Sequence, residues 1–243
     1  MITTLQKKVI NGGTLSREEA ILLSSAQLEP LCEAADQIRR HFCGNAFDMC
    51  SIINGKSGKC PEDCKYCAQS SHYSADTAVY PLLSTDEILR EAKANAADGI
   101  LRFSIVTSGK RLSDQEVEQV CDSFRKIRET CGISLCASMG LLSQKQFKML
   151  KSAGVVRYHN NLETSRRFFP HICTTHTYED KIQAIRDARE SGLTVCSGGI
   201  IGLGETMEDR IDMALTLRDL QIRSVPINVL NPIPGTPLEH NAP

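Results

Sequence analysis

The sequence predicts an α/β fold, a parallel (β/α) barrel of the TIM type that is partial or truncated and carries an N-terminal helical extension. Three observations predict it. Short β-like runs alternate with amphipathic helical stretches beyond residue 50. About six such βα units can be counted, fewer than the eight of a closed barrel. No G-x-G-x-x-G follows the first strand, which disfavours a dinucleotide-binding doubly wound sheet.

Residues 1–49 are predicted to form the helical extension. Helix character runs over 16–42, where Ser16 and Glu19 have the spacing of a capping box. Residues 50–243 then form the barrel domain. Because only about six units can be counted, we expect the C-terminal units of a complete barrel to be missing from this chain.

Strands and helices alternate regularly through the predicted barrel. The strands are expected at 51–53, 100–106, 133–137, 155–158, 194–200 and 225–230. The helices are expected at 85–97, 114–130, 143–153, 177–191 and 206–220. Cap residues begin several of these helices, namely Ser84 or Thr85, Ser113 and Ser143.

Composition and charge exclude several function classes. The 243 residues are 41% hydrophobic and 23% charged, which is typical of a folded globular protein. The net charge of −1 provides no basic field that would attract nucleic acid or anionic lipid. No apolar run reaches the roughly 18 residues of a membrane helix, and the N-terminus lacks the apolar core of a signal peptide. We therefore expect a cytoplasmic protein with neither nucleic acid nor membrane among its partners.

Eleven cysteines are the most informative feature of the composition. In a reducing compartment they are expected to bind metal or act in catalysis rather than form disulfides. Cys60, Cys64 and Cys67 follow the first predicted strand with the spacing C-x3-C-x2-C. Three thiolates on one loop can hold a soft metal centre and leave one coordination position open. A zinc knuckle completed by His72 or by a distant cysteine is the alternative interpretation.

Four stretches of sequence together carry a resemblance to a known family. They are 58–70 (GKCPEDCKYCAQS), 158–165 (YHNNLETS), 195–206 (VCSGGIIGLGET) and 224–228 (SVPIN). In this order, and over roughly residues 40–240, they resemble the biotin synthase family of the radical S-adenosylmethionine (SAM) superfamily.

The resemblance implies a specific chemistry. In this superfamily a 4Fe–4S cluster on the loop cysteines binds SAM, and one electron cleaves SAM to a 5′-deoxyadenosyl radical. By resemblance, Cys60, Cys64 and Cys67 are the cluster ligands and Tyr66 lies against the adenine. Biotin synthases use the radical to insert sulfur into dethiobiotin. The resemblance therefore implies a radical SAM sulfurtransferase with an auxiliary iron–sulfur cluster as the sulfur donor.

The auxiliary cluster is implied to lie inside the barrel, on three cysteines and an arginine. Cys136 and Cys196 match two of these cysteines, and both end predicted strands. Ser104 stands where the family has its first auxiliary cysteine, whereas Cys50 stands where better-known members carry a serine. We hypothesise that Cys50 replaces the missing ligand, with a packed core thiol as the alternative. Since the family's arginine lies beyond Pro243, the cluster is expected to be 2Fe–2S or larger.

The resemblance assigns further residues to SAM and to substrate. Those for SAM are, besides Tyr66, Asn161, Glu163, Lys181 and Ile200. Those for dethiobiotin are Asn161 and Asn228, an amide that offers the ureido ring both a donor and an acceptor. Ile200 belongs to a glycine-rich run that would let the adenine approach closely, with a simple strand-to-helix turn as the alternative. A solvated helix lysine is the alternative for Lys181.

The resemblance also implies partners: dethiobiotin and SAM, an electron donor such as flavodoxin or ferredoxin, and a second copy in a homodimer. Two other functions stay open. One is another radical SAM enzyme of the same subgroup, such as a hydrogenase-cofactor maturase. The other is a non-catalytic Fe–S or zinc-binding module or fragment. Cys173 is assigned to a loop without a role, and the six histidines show no paired-ligand spacing.

Overall fold

The computed structural model describes residues 1–242. Its elements, in chain order, are α1 (Ile2–Ile10), α2 (Arg17–Ser24), α3 (Leu28–Cys43), β1 (Cys50–Lys56), α4 (Thr85–Ala97), β2 (Arg102–Thr107), α5 (Asp114–Thr130), β3 (Ser134–Ser138), α6 (Gln144–Ser152), β4 (Arg157–His159), a 3-10 turn (Phe169–His171), α7 (Tyr178–Glu190), β5 (Thr194–Cys196), β6 (Gly199–Ile201), α8 (Met207–Asp219) and β7 (Ile227–Val229). Each of the five helices predicted between strands is present within one residue of its expected bounds. Over residues 1–242, no helix combines the length and the apolar character that crossing a bilayer requires.

The strands form a parallel sheet that follows the order of the chain. β1 to β5 are neighbours in sequence order, and β6 pairs with β7. Isolated parallel bridges from Glu163 to Gly199 and from Cys196 to Ser224 connect the two sheets. Parallel strands in sequential order, joined by helices, are the arrangement of a TIM-type barrel. The predicted fold class, a partial parallel barrel after a helical N-terminal part, is confirmed.

The two faces of the strands differ in chemistry. Since side chains alternate along a strand, one set faces the helices and the other faces the barrel lumen. The set that faces the helices is apolar and buried: Phe103, Ile105, Leu135, Ala137, Tyr158 and Val195. The alternate set is mostly polar or sulfur-bearing, with Ile52 and Val106 as apolar exceptions; it includes Cys50, Asn54, Ser104, Cys136, Ser138, His159 and Cys196. The lumen is therefore a place for ligands rather than part of the hydrophobic core.

The single strand predicted at 194–200 is wrong, because the structure divides it into β5 and β6 at Ser197 and Gly198. A Cβ at Gly198 would lie 1.7 Å from the carbonyl oxygen of Pro226. A Cβ at Gly199 would lie 2.5 Å from the carbonyl oxygen of Glu163. These two glycines therefore let neighbouring backbone segments approach, which is a packing requirement independent of any ligand.

Gly198→Ala is expected to lower the free energy of unfolding by more than about 3 kcal/mol, because backbone cannot yield to the new methyl group as a flexible side chain can. Gly132→Ala is the matched control, since no atom lies within 4 Å of a Cβ there. Chemical denaturation of both variants measures the difference. Equal stability of the two would contradict the packing role of Gly198.

The helix character predicted over 16–42 is confirmed, but residues 25–27 divide it into α2 and α3, and a further helix, α1, precedes them. Proline is tolerated only in the first turn of a helix, so the helix that contains Pro30 must begin just before it. Arg17 pairs with Glu208 and Asp212 of α8, both at 2.7 Å. The N-terminal helices therefore pack against the last helix of the barrel, and a domain division at residue 49 stays a prediction.

Candidate functional site

The cysteine loop that follows β1 is held by its own backbone. Cys60 N donates to the carbonyl of Gln69 at 2.9 Å, and Ser71 N donates to the carbonyl of Cys60 at 2.8 Å. Cys67 N closes a turn on the carbonyl of Cys64 at 3.0 Å. The three cysteines therefore project from a fixed loop at the carboxyl end of the sheet, where barrel active sites lie.

A cavity of about 280 Å³ opens beside this loop. The loop cysteines and Tyr66 form one wall of the cavity, and residues that follow β4 form another. The structure thereby brings together seven of the predicted site residues: Cys60, Cys64, Cys67, Tyr66, Asn161, Glu163 and Lys181. It adds polar residues that the sequence analysis did not assign, among them Thr107, Lys110, His159 and Asn160.

Glu163 is the most unusual residue of the cavity wall. It is buried and has a φ of 70°, a conformation that side-chain-bearing residues rarely adopt. Burial raises the pKa of its carboxyl group, and the positive charge of Lys181 opposes that shift. Within the described part of the chain, Glu163 Oε2 and Asn160 Nδ2 are buried without a hydrogen-bond partner. Such atoms fit a polar ligand, and a carboxylate beside an amide suits a ribose diol.

Lys181 faces the same wall. It is half-buried on α7, and its Nζ donates to Asn160 Oδ1 at 3.1 Å. Lys181 is therefore only partly solvated, and its role toward SAM stays a prediction. Its ammonium group and the backbone-fixed Asn161, which accepts from Gly198 N at 2.9 Å, add polar groups around the cavity. Together they suit a ligand that carries a carboxylate and several hydrogen-bonding groups.

Ile200 and Asn228 lie elsewhere. They are register partners on β6 and β7, and neither lines the cavity of the cysteine loop. Asn228 is exposed. β6 adjoins the cavity through the bridge between Gly199 and Glu163, in which Ile200 N donates to the carbonyl of Glu163 at 2.8 Å. The assignment of Ile200 to SAM and of Asn228 to substrate stays a prediction.

Cys50, Cys136 and Cys196 occupy successive layers of the lumen. Cys136 is the middle residue of β3, so the prediction that it ends its strand is wrong, whereas Cys196 does end β5. Cys136 is buried, which raises its pKa to about 11, and charge on Cys50 or Cys196 adds to the shift. Desolvation raises the pKa of Cys50 as well, with Cys196 contributing, although Cys50 is exposed at the start of β1. The three sulfurs are therefore close enough to influence one another.

Positive charge surrounds these lumen cysteines. Arg102 pairs with Asp48 at 3.0 Å, and Arg157 approaches the same carboxylate at 3.8 Å. Ser224 Oγ donates to Cys196 Sγ at 3.3 Å. Because Asp48 offsets one of the two guanidinium charges, the pair can offset only part of the negative charge of an iron–sulfur cluster held by these thiolates. Ser104, the register partner of Cys136, offers only a hydroxyl, which is a poor ligand for iron.

A third group of metal-ligating side chains was missed by the sequence analysis. Cys173 Sγ lies 3.8 Å from Cys64 Sγ and 3.2 Å from His176 Nδ1. The hydrogen bond between the thiols raises the pKa of Cys64 and lowers that of Cys173. The statement that no histidine has paired-ligand spacing is wrong, since the spacing C-x2-H at 173–176 was a signal in the sequence.

The distances between ligand atoms distinguish this third group from the loop cysteines and from the lumen cysteines. Among residues 1–242, Cys64, Cys173 and His176 are the trio of potential ligands whose atoms all lie within 4.8 Å of one another. The loop triad and the lumen cysteines are more widely spread. That spread suits a cluster, in which each cysteine binds its own iron atom. His72, the fourth ligand of the zinc-knuckle alternative, places its Nε2 against the carbonyl of Pro61 at 3.0 Å.

His159 gives the site a pH-dependent effect on stability. Burial, reinforced by Lys181, lowers its pKa to about 4 from the usual 6.5. The unfolded chain therefore binds an extra proton between pH 6.5 and 4, and the free energy of unfolding falls as the pH falls through that window. We expect His159→Asn to remove about 3 kcal/mol of this fall. Urea denaturation at both pH values measures it, with the exposed His41→Asn as control.

Comparison with known proteins assigns the family. The model of the radical SAM superfamily matches residues 56–217. The chain is 62% identical to the biotin synthase of Akkermansia muciniphila over 243 residues, covering all of this chain and 76% of that protein. It is 55% identical to the biotin synthase of Clostridium botulinum strain Hall over 239 residues, covering 98% of this chain and 75% of that protein. The chain belongs to the biotin synthase family of radical SAM proteins.

Solved structures share its fold. Methylornithine synthase (PylB) superposes with a TM-score of 0.85 at 21% identity, over 97% of this chain and 70% of that one. The hydrogenase maturase HydG superposes with a TM-score of 0.81 at 18% identity, over 97% and 57%. At these identities the similarity concerns the fold alone. Membership in the biotin synthase family therefore weighs against the maturase alternative.

Proposed function

We propose that this chain converts dethiobiotin to biotin by radical SAM chemistry. The observation that carries the proposal is the presence of two separate cysteine sets in one barrel. One set lines the cavity at the mouth, and the other lies among arginines in the lumen. A sulfur-inserting enzyme needs one centre to generate a radical and another to supply sulfur, and this arrangement provides a place for each.

The first set, the loop cysteines at the mouth of the barrel, would prepare SAM for cleavage. Cys60, Cys64 and Cys67 would hold a 4Fe–4S cluster, which, when bound, supplies the electron that cleaves SAM. Lys181 would receive the SAM carboxylate, and Glu163 and Asn161 would bind the ribose. Tyr66 would cover the adenine. The buried side chain of Glu163 would help to keep water from the reacting carbon.

The lumen set would hold the auxiliary cluster as the source of sulfur. Cys136 and Cys196 are two ligands of this set, and Cys50 is the third, in place of a thiolate at Ser104. Arg102 and Arg157 would offset part of the charge of the thiolates. Asn228 would bind the ureido ring of dethiobiotin. The cluster would be 2Fe–2S or larger, depending on its remaining ligand.

The proposal also covers the electron donor, the oligomeric state and the cellular location of the enzyme. We infer an electron donor of the flavodoxin or ferredoxin type, since each SAM cleavage consumes one electron, which another protein must deliver to the loop cluster. We further infer a homodimer and a cytoplasmic location, because iron–sulfur clusters are best preserved in a reducing compartment.

Anaerobic turnover tests the proposal. The reconstituted chain is incubated with SAM, dethiobiotin and a reductant, and both 5′-deoxyadenosine and biotin are measured. We expect both products, with 5′-deoxyadenosine formation stimulated by dethiobiotin. SAM cleavage without biotin would favour the other radical SAM chemistry, and bound metal without SAM cleavage would favour the non-catalytic module.

A further inference from the structure

Cys64 stands between two groups of ligands. It belongs to the cysteine loop with Cys60 and Cys67, but its sulfur also faces Cys173 and His176. We propose that the cluster-free chain binds a single Zn²⁺ ion through Cys64, Cys173 and His176. The site is distinct from both iron–sulfur sites, although it shares one thiol with the first of them.

The distances match a tetrahedral zinc centre. With Zn–S bonds of about 2.3 Å, two sulfur ligands of a tetrahedral ion lie about 3.8 Å apart. The sulfurs of Cys64 and Cys173 are separated by 3.8 Å. Cys173 Sγ lies 3.2 Å from His176 Nδ1 and 3.9 Å from Nε2. Two thiolates and an imidazole are the ligand types that zinc prefers, and the fourth position would take water.

Glu62 lies beside the same ring nitrogen that faces Cys173. This buried carboxylate contacts His176 Nδ1 through Oε2, and the same oxygen accepts from Thr175 Oγ1 at 3.0 Å. Because Cys173 Sγ is closer to Nδ1 than to Nε2, Nδ1 would be the nitrogen that binds the ion. The ion would then take the place of the contact between Nδ1 and Glu62, while the carboxylate would keep the hydrogen bond from Thr175.

The segment that carries Cys173 and His176 is already fixed against the cysteine loop. Asp63 Oδ1 accepts from Thr174 N at 2.8 Å and from Thr175 N at 3.1 Å. Lys65 N donates to the carbonyl of Ile172 at 2.9 Å. The neighbours of Cys64 on both sides thus hold the segment in place. Because the ligands are positioned before the ion arrives, little ordering entropy opposes binding.

The shared thiol makes the two occupancies exclusive. Cys64 cannot serve a zinc ion at Cys173 and His176 while it binds iron together with Cys60 and Cys67. Zinc-loaded chain is therefore expected to resist assembly of the loop cluster until a chelator removes the ion. This would make the zinc site a holding state for the chain before cluster assembly.

Cobalt serves as the optical probe, because Co²⁺ takes tetrahedral zinc sites and reports its ligands by visible absorption. The reduced, metal-free chain is titrated with Co²⁺ and the bound ion is then displaced with Zn²⁺. We expect tetrahedral, thiolate-containing Co²⁺ spectra that persist in Cys60→Ser. Cys173→Ser and His176→Gln should each weaken binding by at least about 100-fold, since even the loss of an outer partner costs about 10–100-fold.

Two controls make the titration decisive. Cys131→Ser removes another half-buried thiol far from the site in sequence and should bind normally, while Cys196→Ser excludes the lumen set as the source of the spectrum. Circular dichroism verifies that each variant folds. Loss of binding in Cys60→Ser with retention in Cys173→Ser would overturn the proposal, because the loop triad alone would then hold the ion.

A measurement on the unaltered chain gives an independent answer. Iodoacetamide labelling with mass spectrometry compares the loop cysteines with and without Zn²⁺. We expect zinc to slow the labelling of Cys64 while leaving Cys60 and Cys67 reactive. Equal protection of all three would contradict the proposal. Neither experiment involves SAM or dethiobiotin, so each result is separate from the success of the proposed function.

Discussion

Replacing Cys67 with alanine is expected to lower SAM cleavage by more than about 100-fold, because loss of even an outer partner of a metal ligand costs about 10–100-fold. Cys67 lines the cavity with Cys60 and Cys64, opposite the wall that carries Glu163. Without its thiolate one iron of the loop cluster has no protein ligand. Anaerobic 5′-deoxyadenosine formation, measured with iron and acid-labile sulfide counts, checks the prediction.

The matched control is Cys43→Ala, an exposed thiol at the end of α3. It should retain both the iron content and SAM cleavage of the unaltered chain. Cys67→Ala should lose the iron of one cluster only, since the lumen cysteines are untouched. Normal SAM cleavage by Cys67→Ala would remove the loop triad from the mechanism.

The second large effect is expected in the lumen and should separate the two products. Cys196→Ala should reduce biotin formation by more than about 100-fold. Loss of a residue that only supports a metal ligand already costs about 10–100-fold, and Cys196 is proposed as a ligand itself. SAM cleavage should largely persist, because Cys196 does not line the cavity at the mouth. Product analysis by mass spectrometry measures both. Parallel loss of both products, with normal folding, would mean that Cys196 serves the mouth rather than the lumen.

Cys50 allows a sharper experiment, because the chain offers a position to which its thiol can be moved. Ser104 is buried and is the register partner of Cys136. Cys50→Ser should lose auxiliary-cluster iron, and the double variant Cys50→Ser/Ser104→Cys should regain part of it. Full iron content in Cys50→Ser would show that Cys50 is not a ligand and is merely a thiol at the start of β1.

Local sequence patterns predicted most of the fold. The five barrel helices begin at side-chain caps, including Ser84, Ser113 and Ser143, and each cap is formed with the residue three positions on. Such caps depend only on neighbours in sequence, which explains why the helix bounds agree to one residue. The N-terminal helices were less predictable, because their packing against α8 depends on Arg17 and residues nearly 200 positions away.

The candidate site divides in the same way. The spacing of Cys60, Cys64 and Cys67 is a local pattern, and the amino-acid sequence alone is enough to identify the loop. The position of Glu163 opposite that loop follows from parallel pairing of the strands. Its burial and positive φ could not be read from the sequence, because both arise from contacts with segments that are distant along the chain.

By itself, then, the sequence determined the fold class, the family resemblance and the cysteine loop, since each depends on short-range spacing of residues. Only the tertiary structure decided which side chains meet: Cys64 with Cys173 and His176, Lys181 with Asn160, and the layered thiols of the lumen. Such meetings depend on strand register and on loops folded against one another. The sequence shows the C-x2-H spacing of Cys173 and His176, but no local pattern links these two residues to Cys64, because they lie more than 100 positions further along the chain.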